Sequence, residues 1–231
     1  MKKEPHTNQI SPSPPPDFPA DEFRALNDVT KPDVRQTYFV VSDPESGEWV
    51  KKEIRHLHWS VSQYALGKQV PQEIHVQWDT ARNIWLYGWF VYRFYTVAEL
   101  QAYVVLELAL RQKLGHTTSK PPGLKKLISD AIEKKLVFDE CIEQYRQIKD
   151  QQTVLALELE KIRSQIPRCN IPAAETVERD PQSQKYCTML SNQFPKLRNM
   201  HAHGGTYLYP ASVGLAFGIC RDIINQLLDR K

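Results

Sequence analysis

The sequence predicts a mainly α fold, a bundle of four to five helices preceded by a small N-terminal appendage that contains strands. Apolar side chains occur on nearly every face between Ile84 and Leu110, as in a helix at the centre of a bundle. A clean apolar stripe at helical spacing follows Pro210. Prolines and glycines divide the chain between these segments, which places the helix boundaries.

Composition narrows the class of protein. The 30 Lys and Arg against 27 Asp and Glu leave a net charge of +3, too small by itself to indicate nucleic-acid binding. The four cysteines are far apart, which favours a reducing compartment over a disulfide scaffold. Arg93, Glu99 and Glu107 interrupt the most apolar region, and no apolar stretch follows the first lysines. We therefore expect a soluble, cytoplasmic protein with neither a membrane span nor a signal peptide.

Three regions follow one another along the chain. Residues 1–22 hold six of the 16 prolines and few large apolar residues, which predicts a disordered Pro-rich tail. Residues 23–78 are predicted to form a small α+β appendage. Two of its strands, at 38–41 and 49–50, flank a turn, and a third is predicted at 73–78, where polar and apolar residues alternate. Residues 79–231 form the predicted helical domain.

Capping and breaking residues place the predicted helices of this domain. Asp79-Thr80 offers an N-cap for the first helix, and Gly115 ends it. The helix predicted from about Asp139 to Ile166 is rich in charged residues and glutamine, so we expect part of it to face solvent. The four later helices are predicted from Gly123 onward, from about Asp139 to Ile166, from Gln182 to His201, and from Pro210 to the end of the apolar stripe.

One segment near the C-terminus gathers residues suited to phosphate chemistry. Arg198, Asn199, His201 and His203 fall within six positions, directly before two glycines. Arginine offers a permanent cation with a planar donor fork, and histidine can transfer a proton near neutral pH. Together they could cleave a phosphodiester without a metal ion. The alternative explanation is electrostatic, because cations are favoured near helix C-termini.

The spacing of Arg198 and His203 constrains how they could cooperate. Positions five apart lie about 140° around a regular helix. The two side chains could therefore act on one phosphate only if the helix unwinds near Ala202, or if a second copy of the chain supplies the facing half. Gly204-Gly205 is compatible with either arrangement.

The six residues Arg198 to His203 resemble the R-x4-H signature, in its R-N form, of the HEPN superfamily of helical ribonucleases. The segments 106–114 and 124–131 resemble the first two helices of that family, and the amphipathic last helix also fits. The resemblance covers about residues 79 to 231. The appendage before residue 79 has no counterpart in it.

The resemblance implies an enzyme and assigns its residues. Arg198 would be the phosphate-contacting cation, His203 the general acid/base, and Asn199 a support for geometry or a ligand of ribose or phosphate. The implied activity is a metal-independent endoribonuclease in which the 2′-hydroxyl attacks, leaving cyclic phosphate and 5′-hydroxyl ends. Family members act as toxins or antiviral defence nucleases on tRNA or other RNA. The resemblance further implies a homodimer with a composite active site, an antitoxin or regulator as partner, and no cofactor.

Two other functions stay open at this stage. The same bundle could be a non-catalytic module that binds RNA or a protein. It could also be a purely structural dimerisation domain in which the Arg/His cluster forms a salt-bridged interface. A catalytic pair requires both side chains in a solvent-reachable cleft, whereas a structural cluster would bury them against carboxylates.

Several further residues are candidates for supporting roles. Glu107 can pair with Arg111 one helical turn later, or it can reach Arg198 and hold the guanidinium in place. His201 is either a second proton-transfer group or only a solvent-facing residue, and we favour the second interpretation. Tyr207 and Tyr209 could stack on bases or cover the cleft. The lysines that could hold RNA are Lys120, Lys125, Lys126, Lys134 and Lys135.

Metal and nucleotide chemistry have little support in the sequence. The pairs His56-x-His58 and His201-x-His203 lack the third and fourth ligands that a zinc site needs. The sequence also has no GxxxxGK[ST] loop, no GxGxxG after a strand and no GxSxG elbow. We therefore predict no metal site, no dinucleotide cofactor and no P-loop or α/β-hydrolase activity.

Overall fold

The computed structural model describes residues 22–43, 45–116, 122–165, 180–204 and 210–228. These residues form a mainly helical structure with one two-stranded sheet, as predicted, whereas the tail 1–21 lies outside the described residues. The strands are β1 (Val40–Ser42) and β2 (Trp49–Lys51). The seven α-helices of the described residues are α1 (Ile54–Ser62), α2 (Gln72–Tyr87), α3 (Phe94–Leu114), α4 (Leu124–Glu133), α5 (Glu143–Gln165), α6 (Lys185–Ala202) and α7 (Pro210–Leu228).

Helix α3 lies at the centre of the structure, in contact with α2, α4, α6 and α7. An aromatic cluster fills the space beside it, with the ring of Phe217 4.7 Å from Trp85 and 5.0 Å from Trp78. The indole N–H of Trp78 donates to the carbonyl of Tyr64 at 2.6 Å, so this buried ring has its polar group satisfied. Within the described residues, no helix combines the length and apolar character that crossing a membrane requires.

The third strand predicted at residues 73–78 is wrong, because these residues belong to α2. Ile74 and Trp78 are fully buried, while Val76 between them is exposed. Buried positions four apart fit a helical face as well as they fit a strand, so alternation over six residues does not separate the two. The predicted boundary between residues 78 and 79 also falls inside α2, and buried residues on both sides of it belong to one core cluster.

The single long helix predicted from Asp79 to Gly115 is two helices. The chain leaves α2 at Gly88 and enters α3 at Phe94, and these two helices pack against each other. A Cβ atom on Gly88 would lie 2.9 Å from the carbonyl oxygen of Trp85 and 2.9 Å from the ring of Tyr95. The turn therefore depends on a close approach that only glycine allows. The extra turn, together with α1 in the appendage, explains why the helices outnumber the four to five predicted.

The other predicted helices and strands are confirmed, with boundaries that agree to within a few residues. In the hairpin, Val40 pairs with Lys51 and Ser42 with Trp49. Helix α6 continues through Pro195, which removes one backbone hydrogen bond of the helix. Gly115 ends α3 with a φ of 72°, a left-handed conformation that favours glycine. None of the residues of α5 is buried, in agreement with its predicted exposure.

The appendage attaches to the turn between α2 and α3. The side-chain amide of Gln36, on a short 3₁₀ turn, donates to the carbonyl of Gly88 at 3.1 Å and contacts the Tyr95 hydroxyl at 3.0 Å. The guanidinium of Arg35 lies 4.2 Å from the centre of the Tyr92 ring. Polar and cation–π contacts therefore fix this segment onto the helices.

Replacement of two glycines by alanine should have opposite effects on the stability of the protein. Gly218 lies within α7, where an added Cβ would meet the Tyr64 ring at an ordinary 3.6 Å, so Gly218→Ala should raise the free energy of unfolding by about 0.5–1 kcal/mol. Gly88→Ala should lower it by at least about 1 kcal/mol, because the new Cβ would clash with backbone. Urea unfolding of the three proteins measures both effects, and equal responses would contradict this packing.

Candidate functional site

A polar stripe runs along one face of α3, the central helix. Glu99, Tyr103, Glu107 and Arg111 follow one another at intervals of four residues, so they share one face. Glu99 and Glu107 contact α6, and the ring of Tyr103 lies 5.0 Å from that of Phe194. Sequence reasoning missed the role of Glu99 and Tyr103. The four-residue interval was the signal that could have identified them.

The Glu107 carboxylate contacts both Arg111 and Arg198, the two arginines that the sequence suggests as its partners. One carboxylate oxygen binds Arg111 on the same helix, and Oε2 lies 3.8 Å from Nη2 of Arg198 on α6. Nη1 of Arg198 is also 3.3 Å from the amide oxygen of Asn199. The Arg198 side chain remains 37% exposed, so its guanidinium is oriented by a carboxylate and still reaches solvent. Both interpretations of Glu107 therefore hold in the same structure.

An open cleft of about 520 Å³ lies between α4 and α6, beside this arginine. It contains three cationic side chains, of which Lys126 is paired with Asp130 at 2.6 Å, and its one carboxylate, Glu107, already contacts two arginines. The first turn of α4 also lines it, where helical N–H groups lack intrahelical partners. Such a lining favours an anion over an apolar ligand. The lining residues are Glu107, Gly123, Leu124, Lys125, Lys126, Ser129, Pro195, Arg198 and Asn199.

The side chain of His201 is buried, so the expectation that it faces solvent is wrong. It is 5% exposed, and Nε2 lies 3.1 Å from Oε1 of Glu99, whose side chain is 4% exposed. The imidazole is nearly parallel to the ring of Tyr103, with an interplanar angle of 12° and 6.5 Å between centroids. The last turn of α6 therefore directs His201 inward against α3, away from the open cleft.

Glu99 links three helices, because its carboxylate contacts His201 on α6 and accepts hydrogen bonds from α3 and α7. The Tyr103 hydroxyl donates to Oε1 at 2.9 Å, and the Ser212 hydroxyl, on α7, donates to Oε2 at 2.7 Å. Burial raises the pKa of Glu99, but its interactions with His201, Ser212 and Tyr103 outweigh this, and the net pKa lies below the ordinary value. Glu99 is therefore a buried carboxylate that stays charged at neutral pH.

His203 lies apart from the cleft. The backbone N–H of His203 donates to the carbonyl of Asn199 at 2.9 Å, so helical hydrogen bonding continues past Ala202. The first left-handed residue is Gly204, with a φ of 75°. With no unwinding at Ala202, Arg198 and His203 lie about 140° apart around the axis. His203 is exposed and does not line the cleft.

The structure thus brings Arg198, Asn199 and Glu107 together and leaves His203 outside that group. Tyr207 and Tyr209, the candidates for stacking on bases or covering the cleft, lie outside the described residues.

In each HxH pair, one histidine contacts a carboxylate of the protein. Nδ1 of His56 accepts from the backbone N–H of Glu53 at 2.9 Å, and its Nε2 lies 3.3 Å from Asp43. His201 faces Glu99, as described above. Across the ranges that the structure describes, no three His, Cys, Asp or Glu side chains come together as a metal site needs.

No protein-family model, curated protein or solved structure matches the chain. The likeness to the HEPN superfamily therefore depends on the residues of this sequence alone, in particular Arg198 to His203 and the helices around them.

Proposed function

We propose that the chain is a HEPN-like, metal-independent endoribonuclease. The observation that carries the proposal is the guanidinium of Arg198, which Glu107 orients from 3.8 Å beside an open cleft that also contains Lys125 and Lys126. A phosphate in this cleft would meet a preorganised cation, and preorganisation makes charge stabilisation effective in the transition state. The R-N-x-x-x-H signature at the end of α6 supports the same assignment.

The proposed reaction is a single displacement at phosphorus by the neighbouring 2′-hydroxyl. The ribose 2′-hydroxyl loses its proton to a histidine and attacks, so that an O2′–P bond forms as the P–O5′ bond breaks. The 5′ oxygen leaves with a proton returned by a histidine acting as acid, which gives a 2′,3′-cyclic phosphate and a 5′-hydroxyl. Arg198 stabilises the charge that develops on the non-bridging oxygens, and Asn199 orients the guanidinium or the ribose.

His203 enters this scheme from a second copy of the chain. Within one chain the helical path from Arg198 to His203 directs the two side chains to different sides of α6. A two-fold arrangement of two copies would let Arg198 of one face His203 of the other, giving two composite sites per homodimer. The proposal includes RNA, with tRNA among the substrates, a cytoplasmic location, a toxin or defence role, and an antitoxin or regulator.

A non-catalytic binding module is the second candidate function. The observation that favours it is the position of His203, which is exposed and does not line the cleft. A cationic cleft without a proton-transfer group could still bind the phosphate backbone of RNA. The two functions differ in whether RNA is cut.

The decisive experiment is digestion of total RNA by the purified full-length protein in EDTA, with analysis of the product end groups. Arg198→Ala and His203→Ala should each lower the cleavage rate by at least about 100-fold. The matched controls Arg55→Ala and His58→Ala, on α1, should cut at the wild-type rate. Products should carry cyclic phosphate ends. Wild-type protein that binds RNA without cutting would instead establish the binding module, and activity lost to EDTA would contradict the metal-independent reaction.

A further inference from the structure

Helix α5 is the most exposed helix of the described structure. Its 23 residues, about 34 Å in length, include none that is buried. Near its start the helix contacts the body: the backbone N–H of Glu143 donates to Asp222 at 2.8 Å, and Tyr145 lies 5.6 Å from Tyr186. The helix nonetheless carries large apolar side chains further along, including Leu155, which is 55% exposed.

One face of α5 has the residue spacing of a coiled coil, while the exposed Val154 and Leu157 lie outside that face. Ile148, Gln152, Leu155, Leu159 and Ile162 are separated by four, three, four and three residues. This is the alternation of the a and d positions of a heptad repeat, which forms a narrow seam on one side of a helix. Gln152 is the only polar residue of the seam, and a single polar residue at such a position favours one register at some cost in stability.

The charges beside the seam fit a second copy of the same helix. With Gln152 and Leu159 at a, Glu158 occupies a g position and Arg163 the e position five residues later. In a parallel pair, Glu158 of one helix faces Arg163 of the other, twice by symmetry. Among the described residues of one chain, Arg163 contacts Glu160 at 3.8 Å, which the pairing can replace. An antiparallel pair would set Lys149 against Arg163 instead, two like charges.

We infer that α5 is a self-association surface, through which two copies of the chain form a parallel, two-stranded coiled coil. The inference goes beyond the proposed ribonuclease and does not depend on it, because the seam would associate whether or not RNA is cut. It names an interface that the R-N-x-x-x-H segment does not reveal.

Sedimentation of the full-length protein over a wide range of concentration tests the inference with a matched pair of variants. Leu155 lies on the seam, whereas Leu157, 68% exposed, lies about 200° away around the helix. Wild type and Leu157→Asp should sediment with twice the mass of the chain. Leu155→Asp should raise the dimer dissociation constant at least about tenfold. Since both leucines are exposed, both variants should keep the circular dichroism and unfolding midpoint of the wild-type body.

Two further variants test the register and direction. Glu158→Lys should weaken the dimer, and the double variant Glu158→Lys/Arg163→Glu should restore it. Gln152→Cys should give a disulfide-linked dimer on oxidation, because equivalent a positions face each other only in a parallel pair. A wild-type protein that stays monomeric at every concentration, or equal effects of Leu155→Asp and Leu157→Asp, would overturn the inference. A Gln152→Cys dimer that does not cross-link on oxidation would overturn the parallel arrangement.

Discussion

A mixture of the Arg198→Ala and His203→Ala proteins should regain RNA cleavage, to about one quarter of the wild-type rate, although each variant alone is inactive. If every site takes its arginine from one copy and its histidine from the other, a mixed dimer has one site that lacks both groups and one that has both. Half of the dimers are mixed after random exchange, and each carries one intact site of two. The expected recovery follows from these two factors.

The same mixture separates a composite site from a site within one chain. If α6 unwound on binding RNA and placed both side chains of one chain on the phosphate, every site in the mixture would lack one group. Cleavage would then stay at the level of the single variants. The measurement is the initial rate after the two proteins are incubated together, with subunit exchange followed separately by co-purification of two differently tagged copies. Full exchange without recovery would contradict the composite site.

Asp139→Ala should cause the largest loss of stability, about 3–4 kcal/mol in the free energy of unfolding. Asp139 lies on a short 3₁₀ turn before α5 and is fully buried against the first turn of α6. Its carboxylate accepts hydrogen bonds from the Ser183 hydroxyl at 2.6 Å and from the backbone N–H groups of Tyr186 and Cys187, each at 2.9 Å. Alanine would leave these donors without a partner at a positive helix end. Urea unfolding measures the loss.

Acid should remove part of the same stabilisation. Burial raises the pKa of Asp139, but the hydrogen bonds from Ser183, Tyr186 and Cys187 outweigh it, so the folded-state pKa lies below the ordinary value of 3.8. Stability from a lowered pKa is complete above the unfolded-state value and declines as the pH falls through it toward the folded-state value. The urea midpoint of wild type should therefore decline more steeply in acid than that of Asp139→Ala.

Asp180→Ala provides the matched control for Asp139. Asp180 is exposed and accepts a hydrogen bond from the backbone N–H of Gln182 at 2.9 Å, so its replacement should cost less than about 1 kcal/mol. A cost at Asp139 no greater than that at Asp180 would contradict the role of the buried carboxylate.

The sequence predicts those parts of the fold whose boundaries are set by local residues. Gly115 marks a helix end because glycine accepts the left-handed conformation, and Pro210 marks a helix start because its fixed φ suits the first helical position. The turn at Gly88 is different, since residues 89–92 are all apolar and contacts with residues distant along the chain, among them Gln36, fix the reversal. Residues 73–78 fit two periodicities, and the core decides between them.

In the candidate site, too, some features can be predicted from residues close along the chain and others depend on residues far apart in sequence. The cluster at Arg198 is visible in the sequence because its members are close along the chain. The contact between Glu107 and Arg198 is one of the two that the sequence suggests for Glu107. The environment of His201 is not visible, since it depends on Glu99 of α3 and Ser212 of α7, residues far away in sequence. The cleft itself depends on how α4 lies against α6, which no local pattern encodes.

The polar stripe of α3 also restricts how α6 can rotate about its own axis. A change of one residue in the rotation of α6 turns each side chain by about 100°. Such a turn would separate Glu107 from Arg198 and Glu99 from His201 together, so both buried carboxylates would lose their contact with α6. A seam of leucines would accept several rotations at similar energy. The stripe therefore selects one packing register, the one that sets Arg198 beside the cleft.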